Sequence, residues 1–146
     1  MASNNYKDPF KKLLANIKAS AKPSPRSIIT AEGKKLQGVE VNGIQKIVAI
    51  DAEDLKRKFD EQEGFCFWTG IPLNMDFINE SYHKLAPSVD RLDENKGYTY
   101  DNIVITVRFI NFGRGNCDLN RMLTYMKALK NAKFDIKKIE RMLWVI

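Results

Sequence analysis

The residues best able to do chemistry gather between Pro87 and Asn116. Asp90 and Asp93 flank Arg91, and two amides follow at Asn102 and Asn111. Carboxylate and amide oxygens suit a hard cation such as Mg²⁺, which usually takes one or two protein groups and completes its shell with phosphate oxygen and water. Arginine stays protonated and cannot take a proton near neutral pH, but it can clamp a phosphate or stabilise developing negative charge. His83 is the single histidine, and histidine is the side chain that ordinarily titrates near neutrality. Each of these residues also has a plainer reading. Asp90 can cap a loop, Asn111 can end a helix, and His83 can be incidental. The two cysteines, Cys66 and Cys117, fall short of the four Cys or His ligands of a structural zinc site. No structural zinc is expected, nor a disulfide in a reducing compartment, and Cys66 reads as a small core residue.

The elements that must position these groups follow from local pattern. Pro87 to Val89 is a short apolar approach, and Asn102-Ile103-Val104-Ile105-Thr106-Val107 is a β-branched run that predicts a strand. Gly97 lies in the polar stretch between them, where a turn calls for a residue that tolerates positive φ. A helix is expected to begin at Arg108, weakened early by Gly113 and Gly115. The order is therefore strand, polar loop, strand, helix.

Here the chain resembles the HNH endonucleases, which carry the ββα-metal motif, and most closely their bacteriophage type. The matching residues are Ser88, Asp90, Arg91, Asp93, Lys96-Gly97-Tyr98-Thr99, Asn102 and Asn111. Upstream, Gln62-Glu63-Gly64-Phe65-Cys66-Phe67-Trp68-Thr69-Gly70-Ile71-Pro72-Leu73 is similar to that family's lead-in. The resemblance runs from about Asp51 to Asn116, and so many ordered matches are far more specific than one short motif.

The resemblance implies a metal-dependent endonuclease that hydrolyses DNA phosphodiester bonds, with one Mg²⁺ or Mn²⁺ held by Asp90 and Asn111. It gives Arg91 the scissile phosphate, and Asn102 and Gly97 a structural role in the loop. The better-known HNH pattern has a histidine general base after its first aspartate; the phage type carries an arginine there, as here. That leaves the base unassigned, with His83 as one candidate, and basic side chains on the flanking helices would position the duplex. The family's usual lysine near the helix end is replaced by Arg114 or has no counterpart, and either way a cationic phosphate contact stays open. The alternative is a catalytically inactive DNA-binding or protein-interaction module on the same fold.

The rest of the chain reads as support. Asp8-Pro9 predicts an N-capped helix with Phe10, Leu13, Leu14 and Ile17 on one face, ending before Lys22-Pro23. A loop is expected over 21–36. Asn42-Gly43 predicts a hairpin over 39–50. Asp51 with Asp54 resembles a capping box, Leu55 and Phe59 mark the inner side of that helix, and Gly64 stops it. Phe67 and Trp68 are expected in the core, and residues 74–86 as a loop or a short helix. Asp118 and Asp135 predict two further helices, whose stripes at Leu119, Met122, Leu123, Met126 and Leu129, and at Ile136, Ile139, Met142 and Leu143, read as core.

The expected fold is α+β: an HNH ββα-metal core over 51–117, an N-terminal helix, loop and hairpin over 1–50, and C-terminal helices over 118–146, together one globular unit. At 146 residues with a net charge of +6, the chain suits a polyanion partner without identifying one. Arg108, Arg114, Lys96, Lys127 and Lys130 are the candidate nucleic-acid contacts, with double-stranded DNA as the expected partner; a homodimer and a protein partner stay open. The N-terminus lacks an apolar signal core, and no run approaches the ~18 residues of a membrane span. A cytoplasmic protein, of a bacterial host if phage-encoded, is the expectation.

Overall fold

The structure, a computed structural model, describes residues 7–21, 26–29, 35–39 and 47–143. It is a mixed α+β chain that divides into two units, 1–116 and 117–146. No helix among the described residues is long and apolar enough to cross a membrane.

In the first unit, helix α1 spans Pro9–Ala21, with Asp8 Oδ1 accepting from the Phe10 N–H at 3.0 Å. Its buried side is Leu13, Ile17 and Ala21, as the helical spacing requires. Helix α2 spans Ala52–Glu61 and starts in a full capping box, each of Asp51 and Asp54 accepting from the other's backbone. Such caps stabilise a helix start by about 0.5–2 kcal/mol. The two helices meet edge-on through Phe10 and Phe59, ring centroids 5.7 Å apart. Leu13 and Leu55 are fully buried between them and the sheet, each worth roughly 1.5–3 kcal/mol of burial. The Tyr100 hydroxyl donates to Glu61 Oε1, and its ring lies 4.0 Å from both Arg57 Cζ and Lys58 Nζ, which ties α2 to the 100–102 turn.

A hairpin forms ahead of the one expected over 39–50, residues 40–46 of which lie outside the described residues. Strands β1 (Arg26–Ile29) and β2 (Lys35–Val39) pair antiparallel, β1 inside the expected loop and β2 starting at its end. Ser27-Ile28-Ile29 carries the β-branched character of a strand, and this outweighs the breaker signal of Pro23 and Pro25. The Asn42-Gly43 turn lies outside the described residues. Val48, expected in the second strand of that hairpin, instead bridges in parallel to Tyr98.

Strands β3 (Pro87–Arg91) and β4 (Ile103–Val107) form the second antiparallel pair, with Val89 opposite Ile105 and Asp90 opposite Val104. Every residue of β4 is buried. Its outer edge is covered: Gln62 accepts from the Ile105 N–H at 2.8 Å and donates to Ile105 O at 2.7 Å, and the Phe67 N–H also donates to Ile105 O at 3.0 Å. Phe67's ring, expected in the core, is exposed because its backbone faces this edge. Residues 74–86 contain a short 3-10 helix, Met75–Asn79. Helix α3, Arg108–Arg114, follows β4 directly and ends at Gly115, at φ 51°.

Gly97 is required for a different reason from the one expected. It is not among the positive-φ glycines; a Cβ there would lie 2.5 Å from Ile47 O, because the Tyr98 N–H donates to that carbonyl at 2.8 Å.

The second unit holds α4 (Leu119–Asn131), capped by Asp118, and α5 (Ile136–Leu143), capped by Asp135. Its apolar stripes are not core as expected: Met122 is buried, but Leu119, Leu123, Leu129, Ile136 and Ile139 are exposed. Two short helices bury little of each other's apolar surface.

Gly97→Ala is expected to lower stability by about 1–3 kcal/mol, the cost of forcing extra volume against a packed neighbour. Urea denaturation checks this, and an unchanged midpoint would show that the 47–49 segment is not tied to the loop as closely as these distances require.

Candidate functional site

Register gives the β3–β4 hairpin two unlike faces. Val89, Ile103, Ile105 and Val107 join the core with α1 and α2. Ser88 and Asp90 alternate with them, so they face the other way, and α3 lies on that side. Asn111 and Arg114, three residues apart on one helical side, meet Ser88 and Asp90.

Asp90 is 5% exposed. Its Oδ1 accepts from Arg114 Nη1 at 2.6 Å and its Oδ2 from Trp68 Nε1 at 2.9 Å. Burial pushes the Asp90 carboxyl up from its ordinary value, while the Trp68 N–H and the Arg114 charge pull against that rise. Arg114 is buried too; its Nη1 also donates to Arg91 O at 2.8 Å and its Nη2 to Leu92 O at 2.9 Å. The remaining nitrogen, Nε, is buried without a hydrogen-bond partner among the described residues.

Asn111 Nδ2 donates to Ser88 Oγ at 2.8 Å and Val89 O at 3.2 Å. Its amino end is thereby anchored, and Oδ1 is left without a hydrogen bond among the described residues. Asp90 and Asn111, the two expected ligands, thus lie along one seam between β3 and α3.

The loop between the strands is bound from two sides. Asn102 accepts from the Asp93 N–H at 2.9 Å and donates to Asp93 O at 2.9 Å and Gly97 O at 3.0 Å. Arg91 Nη1 donates to Glu94 O at 2.7 Å and Lys96 O at 2.9 Å, with its guanidinium 5.2 Å from the Tyr98 ring. Strand alternation turns Arg91 away from Asp90, and its Nη1 clasps the carbonyls of the loop. His83 is not brought to the seam either. It stacks on Phe77 at 3.8 Å, its Nδ1 accepts from the Leu85 N–H at 3.1 Å, and its Nε2 lies 3.8 Å from Glu80 Oε2. With Nδ1 held by backbone, it lacks the free nitrogen a general base needs.

Of the expected nucleic-acid contacts, Arg114 is overturned, because its guanidinium is buried against Asp90 and strand-end carbonyls. Lys96 is exposed, 3.7 Å from Asp93. Lys127 and Lys130 are exposed on α4. Arg108 is half-buried and lines a groove between α1, the 78–84 segment and α3, made of two adjoining depressions of about 380 and 370 Å³. Asn16, Arg108 and Phe112 line both. The outer one reaches Tyr82 and Lys84; the inner one reaches Ser88 and Asn111.

The donor chemistry of the seam fits one hard cation. Asp90's two oxygens offer about four lone-pair sites, of which two are used. Ligating carboxylates ordinarily carry outer hydrogen bonds such as those from Trp68 and Arg114, and Asn111 Oδ1 is open. Access is the opposing feature, since the Arg114 guanidinium covers Asp90 Oδ1. Among the described residues no three His, Cys, Asp or Glu side chains come together.

The residues missed by sequence reasoning are Trp68, assigned to core, and Ser88, given no role. A half-buried indole needs a partner for its N–H, which was the available signal for Trp68. No protein-family model matches the chain, and no curated protein matches it.

Arg114→Met is expected to cost about 3–5 kcal/mol, because it strands a buried carboxylate, while Asp90→Leu/Arg114→Met recovers most of that loss. A double-mutant cycle by urea denaturation checks this. Additive losses would mean that the pair is not energetically coupled.

Proposed function

We propose that this chain is a phage-type HNH endonuclease that hydrolyses DNA phosphodiester bonds, acting in the cytoplasm of a bacterial host. The observation that supports it is the seam: Asp90 and Asn111 on the facing sides of a strand–loop–strand–helix unit whose loop is bound by the Asn102 side chain. Asp90 and Asn111 would hold one Mg²⁺ or Mn²⁺, which when bound supplies charge stabilisation at the phosphate and an activated water. Trp68 and Arg114 orient the Asp90 carboxylate. Ser88 and Val89 O orient the Asn111 amide, so that its oxygen end points away from the strand. Neither Arg91 nor His83 supplies a general base, so the proton passes to solvent.

A second reading, a DNA-binding protein that does not cut, is favoured by one observation: Asp90 is buried and hydrogen-bonded on both oxygens.

Plasmid relaxation by the full chain in Mg²⁺, Mn²⁺ and EDTA separates the two. Nicking is expected with metal only, and Asp90→Asn or Asn111→Ala should each reduce it at least about 10- to 100-fold, with thermal melts checking that the variants fold. His83→Ala should cut as wild type does. Salt-dependent binding with no cleavage in any metal would select the second reading, and cleavage that survives EDTA would sink the metal site.

A further inference from the structure

The groove beside the seam has features the hydrolysis reading does not use. Lys12, Lys84 and Arg108 line it against one carboxylate, Glu80. Arg108 is held there by its backbone, the Arg108 N–H donating to Ala86 O at 2.9 Å and the Phe109 N–H to Lys84 O at 3.0 Å. Its guanidinium makes no ion pair or side-chain hydrogen bond among the described residues. Two aromatic rings stand at the same rim. Phe112 is 66% exposed and Tyr82 85% exposed. Rings of this size left in water are unusual on a soluble surface when they sit together, and mark a contact site. Lys84 Nζ lies 5.5 Å from the Phe112 ring. Tyr82 is held at φ 64°, a conformation that bulky residues rarely adopt and that recurs where function fixes a side chain.

We propose that this groove seats a single, unpaired nucleic-acid strand, with backbone phosphates on Arg108 and Lys84 and bases stacked on Phe112 and Tyr82. Cations that track a backbone, interleaved with aromatic rings that accept any base, are what an unpaired strand requires. A duplex hides its base faces and would use the cations alone. The inner end of the groove is lined by Ser88 and Asn111, so the strand runs from the aromatic rim to the seam. This rests on the nucleic-acid reading above and names the form of nucleic acid that the site takes: a strand unpaired beside the scissile position.

Fluorescence anisotropy of the full chain tests it, with a labelled single-stranded DNA, the matching duplex and a single-stranded RNA, each across a salt series. The expected result is tighter binding of the single strand than of the duplex. Phe112→Ala and Tyr82→Ala should each weaken single-strand binding about 5- to 150-fold, the effect of losing one stacked base, with the salt slope unchanged. Phe112→Trp should retain binding. Arg108→Gln should lower the slope of log affinity against log salt by about 0.7 for a single strand. The exposed position of both rings means that their variants should melt as wild type does, and a melting scan confirms that a weakened variant is folded. If wild type binds DNA and all three loss variants bind equally well, or if the duplex is preferred, the groove proposal is overturned and the nucleic-acid reading survives elsewhere on the surface. If wild type binds none of the three probes, both fall. Stronger loss with RNA than with DNA would keep the groove and change the sugar it prefers.

Discussion

The buried pairing of Asp90 with Arg114 is the constraint on which the functional half of the molecule depends. Helix α3 has seven residues, too few to be stable by itself, and Gly113 weakens it further. Arg114, at its last position, binds Asp90, Arg91 and Leu92 together. One guanidinium thereby closes the helix against the end of β3. Both charges are out of water, so neither is tolerable without the other. Trp68 takes the second carboxylate oxygen, and the lead-in segment is fixed to the same point. The pair therefore sets the position of α3, of the loop that follows β3, and of the lead-in turn.

A period-two strand then divides the labour. One side of the β3–β4 hairpin is apolar and is bound to α1 and α2; the other presents Ser88 and Asp90 to α3. Polar groups buried on that second side are hydrogen-bonded, with the Nε of Arg114 as the exception. The apolar side makes the scaffold rigid, and rigidity is what allows an anchored amide such as Asn111 to keep its oxygen end in one place.

Local features were legible in the sequence. Asp8, Asp51 and Asp118 cap the helices their positions announce, and the β-branched run from Ile103 yields the strand. Asn102 binds the loop through its side chain, in the structural role that the resemblance to HNH endonucleases implied. What was not legible are partner choices between residues far apart in the chain. Nothing local tells Arg91 to clasp carbonyls of its own loop, or Arg114 to be buried, because both are equally cationic and equally suited to phosphate. Gly97 was identified as special for the wrong reason: a tight approach to Ile47 O cannot be read from a turn pattern. The hairpin at 26–39 is not legible because Pro23 and Pro25 are a stronger local signal than the short β-branched stretch at Ile28-Ile29. Trp68 illustrates the same limit, since an indole suits a core in every respect but its N–H.

Gln62 has a consequence for how copies of this molecule meet. A side-chain amide carries one acceptor and a donor pair at almost the geometry of a peptide group, and here it occupies both backbone groups of Ile105. The centre of β4's free edge is in this way capped within the chain. Two hairpins cannot zip together edge to edge through that side, the usual route by which an uncovered strand recruits its like into aggregates. The glutamine at the end of α2, with the Phe67 N–H, thus covers the middle of a wholly buried, β-branched strand that would otherwise offer its backbone for pairing.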